Sequence, residues 1–219
     1  MKYLKEFENE ADVKMGVLPN VVLANDTNKV LYNVEPIFVY IQHIDGRLIK
    51  PAQWEAEGIA SSEANGVAVV TDEASFVIKA TEDAGGSKWA EPYDTHFEGV
   101  FTTTDMAIAL TDFGGRANTE AMLVYDTFGA AKRAARSFPN GQKGYLPSLG
   151  ELNVAYSHKS AINKAMQLIN GVQFGTAFYW SSTQYSDTKA WQLRMFNGSC
   201  KGSDKDISDN FRAFTELVI

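Results

Sequence analysis

The run Trp191-Gln192-Leu193-Arg194-Met195-Phe196-Asn197-Gly198-Ser199-Cys200-Lys201 alternates with a period of two and turns back on itself. Trp191, Leu193 and Met195 fall on one face of an extended strand, and Gln192, Arg194 and Phe196 on the other. Asn197-Gly198 is the preferred pair for a type I′ turn, whose two central residues both need positive φ. The returning strand carries Ser199, Cys200 and Lys201, with Cys200 read as a small inward-facing apolar residue. The C-terminal part of the chain is therefore expected to be strand and turn. Upstream of it the pattern is helical. Ser148 with Glu151 three residues later is a capping-box pair in front of Leu152, Val154 and Ala155. Ile162, Ala165, Met166 and Ile169 then share one helical face. A further helix is expected over residues 118–137, where Ala121, Met122, Tyr125, Phe128, Ala131, Ala134 and Ala135 keep helical spacing.

Toward the N-terminus, Val67-Ala68-Val69-Val70 and Phe76-Val77-Ile78 are β-branched and aromatic segments that predict strands. Val21-Val22-Leu23 and Val30-Leu31-Tyr32 flank Asn25-Asp26-Thr27-Asn28, which predicts a hairpin. Another extended run over residues 37–41 leads into the turn pair Asp45-Gly46. Strands, then helices, then strands is an α+β order, not alternating βαβ. Two parts are expected, a small β-rich segment over residues 1–60 and a larger domain over residues 61–219.

The chain has 219 residues, 45% hydrophobic and 21% charged, which suits a globular domain with a sizeable core. Twenty Lys and Arg against 27 Asp and Glu leave a net charge of −7, with no basic stripe to track a nucleic-acid backbone. One cysteine excludes an intramolecular disulfide framework. The apolar runs are far shorter than a membrane span, so no membrane insertion is expected. Residues 1–10 lack the apolar core of a Sec signal peptide, and release by lysis is the expected route outside a cell.

The polar face of the hairpin does not look like an ordinary solvated surface. Beside Phe196 lie Gln192, Arg194, Ser199 and Lys201, followed by Ser203, Asp204, Asp206, Asp209 and Asn210. Aromatic, Arg, Ser, Asn and Asp side chains in one place have the composition of a paratope.

Gly144-Tyr145-Leu146-Pro147-Ser148-Leu149-Gly150-Glu151-Leu152, Tyr179-Trp180-Ser181-Ser182-Thr183, Ala190-Trp191 through Asn197-Gly198, and Lys205 with Arg212 together resemble a C-type-lectin-like domain. The subtype is that of the variable proteins of diversity-generating retroelements, related phage receptor-binding proteins and gut-bacterial surface proteins. The resemblance spans residues 66–214. Leu18-Pro19-Asn20-Val21 is similar to short attachment regions of virion proteins from phages of Bacteroides-like hosts. The resemblance implies a rigid scaffold whose last strands and loops carry diversified side chains. Trp180, Trp191, Leu193, Met195, Asn197, Gly198, Lys205 and Arg212 match scaffold places. Tyr185, Asp187, Gln192, Arg194, Phe196, Ser199, Lys201, Ser203, Asp204, Asp206, Asp209 and Asn210 match variable, ligand-binding places. Ala213 stands where the family usually has Pro, and residues 215–219 also depart from the pattern.

Sharper chemistry is weakly supported by the residues. Asp204, Asp206 and Asp209 cluster, but the glycine and closing Glu of an EF-hand loop are missing, as is a Glu-Pro-Asn or Trp-Asn-Asp sugar motif. The fold implied by the resemblance is similar to that of formylglycine-generating enzymes, but those need redox-active cysteines, and Cys200 has no second cysteine. Pairing Cys200 with His43, His96 or His158 has no support in spacing. Gly85-Gly86 and Gly114-Gly115 lack the Lys-Ser/Thr of a phosphate loop. The acidic run Glu8, Glu10 and Asp12 reads as a solvated face.

The expectation is therefore a non-enzymatic recognition protein with no cofactor and no metal, on a virion or cell surface. Its partners would be a cell-surface protein or glycan and further copies of itself, a homotrimer being favoured, with no nucleic acid. The alternative is a structural virion component, head-decoration or tail, whose lectin-like face meets only neighbouring subunits.

Overall fold

The computed structural model describes residues 4–6, 21–23, 30–33, 39–81, 86–125 and 129–218. Two compact units divide between Ile37 and Phe38. In the first, β1 (Leu4–Glu6), β2 (Val21–Leu23) and β3 (Val30–Asn33) form an antiparallel sheet in the order β1-β3-β2. The hairpin expected from residues 21–32 pairs Val22 with Leu31. Its turn residues, and the acidic run at Glu8, Glu10 and Asp12, lie outside the described residues.

The boundary expected near residue 60 moves to Ile37/Phe38. The run over residues 37–41, expected in the N-terminal segment, instead contributes β4 (Val39–His43) to the sheet of the second unit. That sheet contains β5 (Leu48–Ile49), β6 (Ala64–Val70), β7 (Ser75–Lys79) and β11 (Phe214–Glu216), in the order β11-β7-β6-β4-β5. The physical reason is burial. Val39 and Ile41 pair with Val69 and Val67, and all four are closed off from water in one apolar cluster. A strand with this much apolar surface cannot be separated from the sheet that covers it.

The second sheet, order β10-β9-β8, is antiparallel and built from β8 (Phe178–Gln184), β9 (Lys189–Arg194) and β10 (Cys200–Asp204). The fold is mixed α+β with antiparallel sheets. Besides α1 (Pro51–Ala56), which Pro51 opens, and the single-turn α2 (Met106–Ala109), its helices are α3 (Gly115–Leu123), α4 (Ala130–Ala134), α5 (Leu149–Ser157) and α6 (Lys159–Leu168). The Ser148/Glu151 capping box opens α5 as expected. On α6, Ile162, Ala165 and Met166 bury the face predicted from their spacing. The helix expected over residues 118–137 is instead two helices, with residues 126–128 outside the described set. Gly129 starts the second, where a Cβ would lie 2.5 Å from the Trp89 carbonyl oxygen. Only glycine admits that close approach.

Two cores result. One joins Leu149, Leu152, Ile162 and Met166 of α5 and α6 to Ile41, Val67 and Ile78 of the larger sheet, to Trp191 and Leu193 of the smaller one and to Met195 just beyond it. The other surrounds Trp89, Phe97 and Trp180, closed by Met122, Ala131 and Ala134. The described residues of the long connection between β7 and α2 have almost no regular structure of their own, so side chains help to fix it. Three indoles do so across the two cores. Trp180 Nε1 donates to Ser87 O at 2.9 Å, Trp89 Nε1 to Ser181 O at 2.6 Å, and Trp191 Nε1 to Thr103 O at 2.8 Å. Each buries a large ring while satisfying its one donor.

Candidate functional site

The hairpin that joins β9 to β10 differs from a type I′ turn. Of Asn197 and Gly198, Gly198 alone takes positive φ, at 73°. Arg194 N donates to Ser199 O and Gly198 N to Arg194 O, both at 2.9 Å, which closes a four-residue loop over residues 195–198. Four-residue hairpin loops favour a type I turn, and the left-handed residue at the end then has to be glycine. A Cβ at Gly198 would also lie 2.6 Å from the Tyr156 ring. The extra loop residues tuck Met195 into the core and lift Phe196 to the tip, where it is 63% exposed.

Around that tip the structure gathers Arg194, Phe196, Ser199 and Lys201, all expected, and one residue the sequence reading missed. Phe178, half-buried on β8, lies directly across from Arg194. The Arg194 guanidinium sits 5.6 Å from the Phe178 ring centroid and 5.5 Å from that of Phe196. Lys201 Nζ lies 4.1 Å from the Phe178 centroid. These are cation–π distances. Neither cation has a carboxylate partner among the described residues, although the chain as a whole is acidic. Ser199 Oγ donates to Asn197 Oδ1 at 2.9 Å. The signal for Phe178 was available, since it stands two residues before Trp180 and shares its strand face.

Tyr185, Asp187, Asp204 and Asp206 belong to the opposite end of the sheet. Lys189 and Arg194 are five residues apart on β9, so the two ends are about 17 Å apart at strand rise. Tyr185 packs edge-on against Trp191 with centroids 4.9 Å apart and covers Gly202, where a Cβ would meet its ring at 2.6 Å. Asp187 Oδ1 pairs with His96 Nδ1 at 3.0 Å, Asp204 with Lys189 at 3.2 Å, and Asp206 is exposed in the following turn.

Gln192 and Ser203 do not face solvent, contrary to expectation. Ser203 Oγ donates to Gln192 Oε1 at 2.8 Å, and Gln192 Nε2 donates to Asp209 Oδ2 at 3.0 Å. On the face that carries them Asp209, which reaches Gln192, pairs with Ser87, while Asn210 runs beside β8 through a bridge to Tyr179. Alternation identified the side on which Gln192 lies; chain packed on that side removed it and Ser203 from water. Asp209 and Asn210 are half-buried by the same pairing. The twelve expected positions therefore divide into an exposed tip, a carboxylate-bearing far end and a buried polar seam. Lys205 and Arg212, expected in the scaffold, are fully buried.

Beneath the sheet, the motif Ser181-Ser182-Thr183 is a polar core. Thr183 Oγ1 donates to Asp112 Oδ2 at 2.7 Å and accepts Leu149 N at 2.9 Å. Asn118 Nδ2 and Gly114 N also donate to Asp112, both at 2.8 Å. Ser182 N donates to Pro147 O, and Ser148 Oγ to the Asp112 carbonyl. Glu151 completes the cluster, accepting Tyr145 Oη at 3.0 Å and Ser148 N at 2.8 Å. Burial pushes the Glu151 carboxyl up to about 7, against those hydrogen bonds and with a further push from Asp112. Its pKa is thus higher in the folded than in the unfolded chain, so the folded state binds the extra proton. The resulting stabilisation is complete below pH 4.5 and is lost as pH rises through about 7. Melting temperatures from pH 4.5 to 8 are expected to fall across that window. Glu151→Gln, which keeps the capping geometry, should flatten the decline, whereas an unchanged slope would place its origin elsewhere.

Cys200 is half-buried against the core, and burial pushes its thiol up to about 11, away from the thiolate a nucleophile requires. Among the described residues no group of three His, Cys, Asp or Glu side chains is placed to hold a metal ion, and no helix is long and apolar enough to cross a membrane.

No protein-family model matches the chain. No curated protein matches it either. Among solved structures, it is similar to a crystal structure of a fimbrial protein from Bacteroides ovatus ATCC 8483, with TM-score 0.59 and 17% identity. The likeness covers 82% of this chain and 48% of that one, so the chain spans about half the length of the fimbrial protein. At that identity the likeness is one of fold.

Proposed function

We propose that this chain is a non-enzymatic recognition protein with a C-type-lectin-like fold, displayed on a virion or cell surface. Its binding face is the exposed tip of the β9–β10 hairpin. The observation that carries the reading is Phe196, 63% exposed at the tip and flanked by Arg194, Phe178 and Lys201. An exposed aromatic ring beside an arginine is the side-chain chemistry of binding hot spots. The loop is held open by Gly198 and by the burial of Met195, so the face is preformed and little ordering is needed on contact. The segments on which the lectin-like resemblance rests are tied together through Ser148, Leu149, Thr183 and Asp112, as a scaffold beneath a variable face requires.

In this reading the N-terminal segment attaches the protein to a particle and assembles it, as a trimer, so that weak single contacts gain avidity. The target is a protein or glycan on a host cell. The double variant Phe196→Ala/Arg194→Ala is expected to lose binding to intact candidate host cells while its melting temperature stays within about 2 °C of the wild type. A large loss of stability would make these side chains part of the core. A structural subunit is the second reading, favoured by the fold likeness to a fimbrial protein. Wild-type protein that binds no cells but whose copies associate through the hairpin tip would select it.

A further inference from the structure

The hairpin tip continues into an open sheet edge. Strand β10 has β9 on one side and no described strand on the other. Arg194 N donates to Ser199 O, Lys205 N donates to Thr188 O, and Lys201 faces Gln192 between them. In an antiparallel ladder the hydrogen-bonded residues alternate. Ser199, Lys201, Ser203 and Lys205 therefore turn their backbone groups toward β9. Cys200, Gly202 and Asp204 turn theirs outward, and of these Asp204 O already accepts Ile207 N at 3.2 Å. At the centre of that edge Gly202 has no side chain, and the Tyr185 ring fills the space a Cβ would need. The edge is thus a short row of backbone donors and acceptors with no β10 side chain at its middle, where the Tyr185 ring forms an aromatic wall on one face.

The two sheet faces beside this edge differ in chemistry. One carries Arg194, Phe178 and Lys201, with both cations lacking a carboxylate partner among the described residues. The other carries Cys200, Gly202 and Tyr185 over Trp191. From these observations we infer that the ligand is an extended acidic segment of a protein, which adds as a strand to the edge of β10. This deepens the recognition reading and rests on it for the shared hairpin face. In an added strand, the residue opposite Gly202 would lie on the aromatic side and suits an apolar side chain. The residue opposite Lys201 would lie on the cationic side and suits a carboxylate. A second carboxylate opposite Ser199 would meet Arg194 across two strand spacings, about 10 Å, which an Arg and a Glu side chain span together. Backbone pairing supplies affinity and the alternating side chains supply selectivity. A saccharide would use the ring and the cations but not the backbone edge, so the edge favours the peptide.

The test is fluorescence anisotropy of the full chain with labelled acetyl-Glu-Val-Glu-Val-Glu-Val-Glu-amide. Saturable binding is expected. It should weaken at least about tenfold when Gln replaces Glu in the peptide, when alternate peptide amides are N-methylated, or when the protein carries Lys201→Gln/Arg194→Gln. No saturable binding at millimolar peptide overturns the inference. Equal binding of the N-methylated peptide overturns strand addition, and equal binding of the Gln peptide overturns the charge match. Binding of polygalacturonate without binding of the peptide reassigns the face to an acidic saccharide. Failure here is separable from failure of the recognition reading. Host-cell binding that Phe196→Ala/Arg194→Ala abolishes would stand even if no peptide binds, and peptide binding would stand even if no cell does.

Discussion

Asp112→Ala is expected to destabilise the fold by about 3–5 kcal/mol, a large part of the stability of an ordinary domain. Asp112 is buried and no lysine or arginine among the described residues pairs with it. It serves instead as a common acceptor. Gly114 N, Asn118 Nδ2 and Thr183 Oγ1 all end on its carboxylate, at 2.8, 2.8 and 2.7 Å. Removing it strands the buried donors of Asn118 and Thr183 and the half-buried Gly114 N, each costing about 1–3 kcal/mol, with some recovery because Asn118 Nδ2 also reaches Ser182 Oγ at 3.3 Å. It also loosens the join between α3, the start of α5 and β8. Asp112→Asn should cost roughly half as much, since an amide oxygen can still accept while its NH2 opposes Asn118. Urea denaturation of the three proteins would settle the order. If Asp112→Ala lost less than about 1 kcal/mol, the cluster would be held by packing rather than by hydrogen bonds.

Lys205→Ala is expected to be nearly as costly, at about 3–5 kcal/mol, and to act on the far end of the candidate site. The Lys205 ammonium donates to Thr95 O, Gln184 Oε1 and Asp187 O at 2.7, 2.8 and 2.6 Å. It also lies about 5 Å from two rings, 4.9 Å from the Trp89 centroid and 5.0 Å from that of Phe97. Desolvation lowers its pKa to about 8, so at pH 7 it is still a buried cation. Alanine leaves the Thr95 and Asp187 carbonyls without this donor, leaves Gln184 Oε1 with Phe97 N alone, and opens an empty space between two aromatic rings. Lys205→Met fills the space but not the hydrogen bonds, and its cost should fall between alanine and wild type. Hydrogen exchange should show amides near Asp187 opening faster in both variants. Equal protection in all three proteins would mean that the β8–β9 turn is held by other contacts, such as Asp187 with His96.

These two residues mark where sequence reading stopped. The resemblance places Lys205 in the scaffold, while nothing in the sequence marks Asp112. A single Asp before Phe113-Gly114-Gly115 has no periodic or motif signal, and its role depends on Thr183, 71 positions away. Phe178 was within reach of the period-two pattern of its own strand, and extending that pattern by one strand would have found it.

What the sequence determined by itself was local. Spacing settled the amphipathic face of α6. Ser148 with Glu151 settled the start of α5, and β-branched runs settled β6 and β7. Alternation in residues 191–196 separated inward from outward side chains correctly for Trp191, Leu193 and Arg194. The tertiary structure decided everything that depended on a second layer of chain. Gln192 is on the side that alternation assigned, yet it is buried there against Ser203 and Asp209, and Asp209 in turn pairs with Ser87. The Asn197-Gly198 turn took a four-residue form because Met195 had a core to enter and Gly198 had Tyr156 against it. The strand at Val39–His43 left the N-terminal segment because its apolar face had a partner in β6. Periodicity is a property of one strand or one helix, whereas burial is a property of what packs upon it, and that is fixed only when distant segments meet.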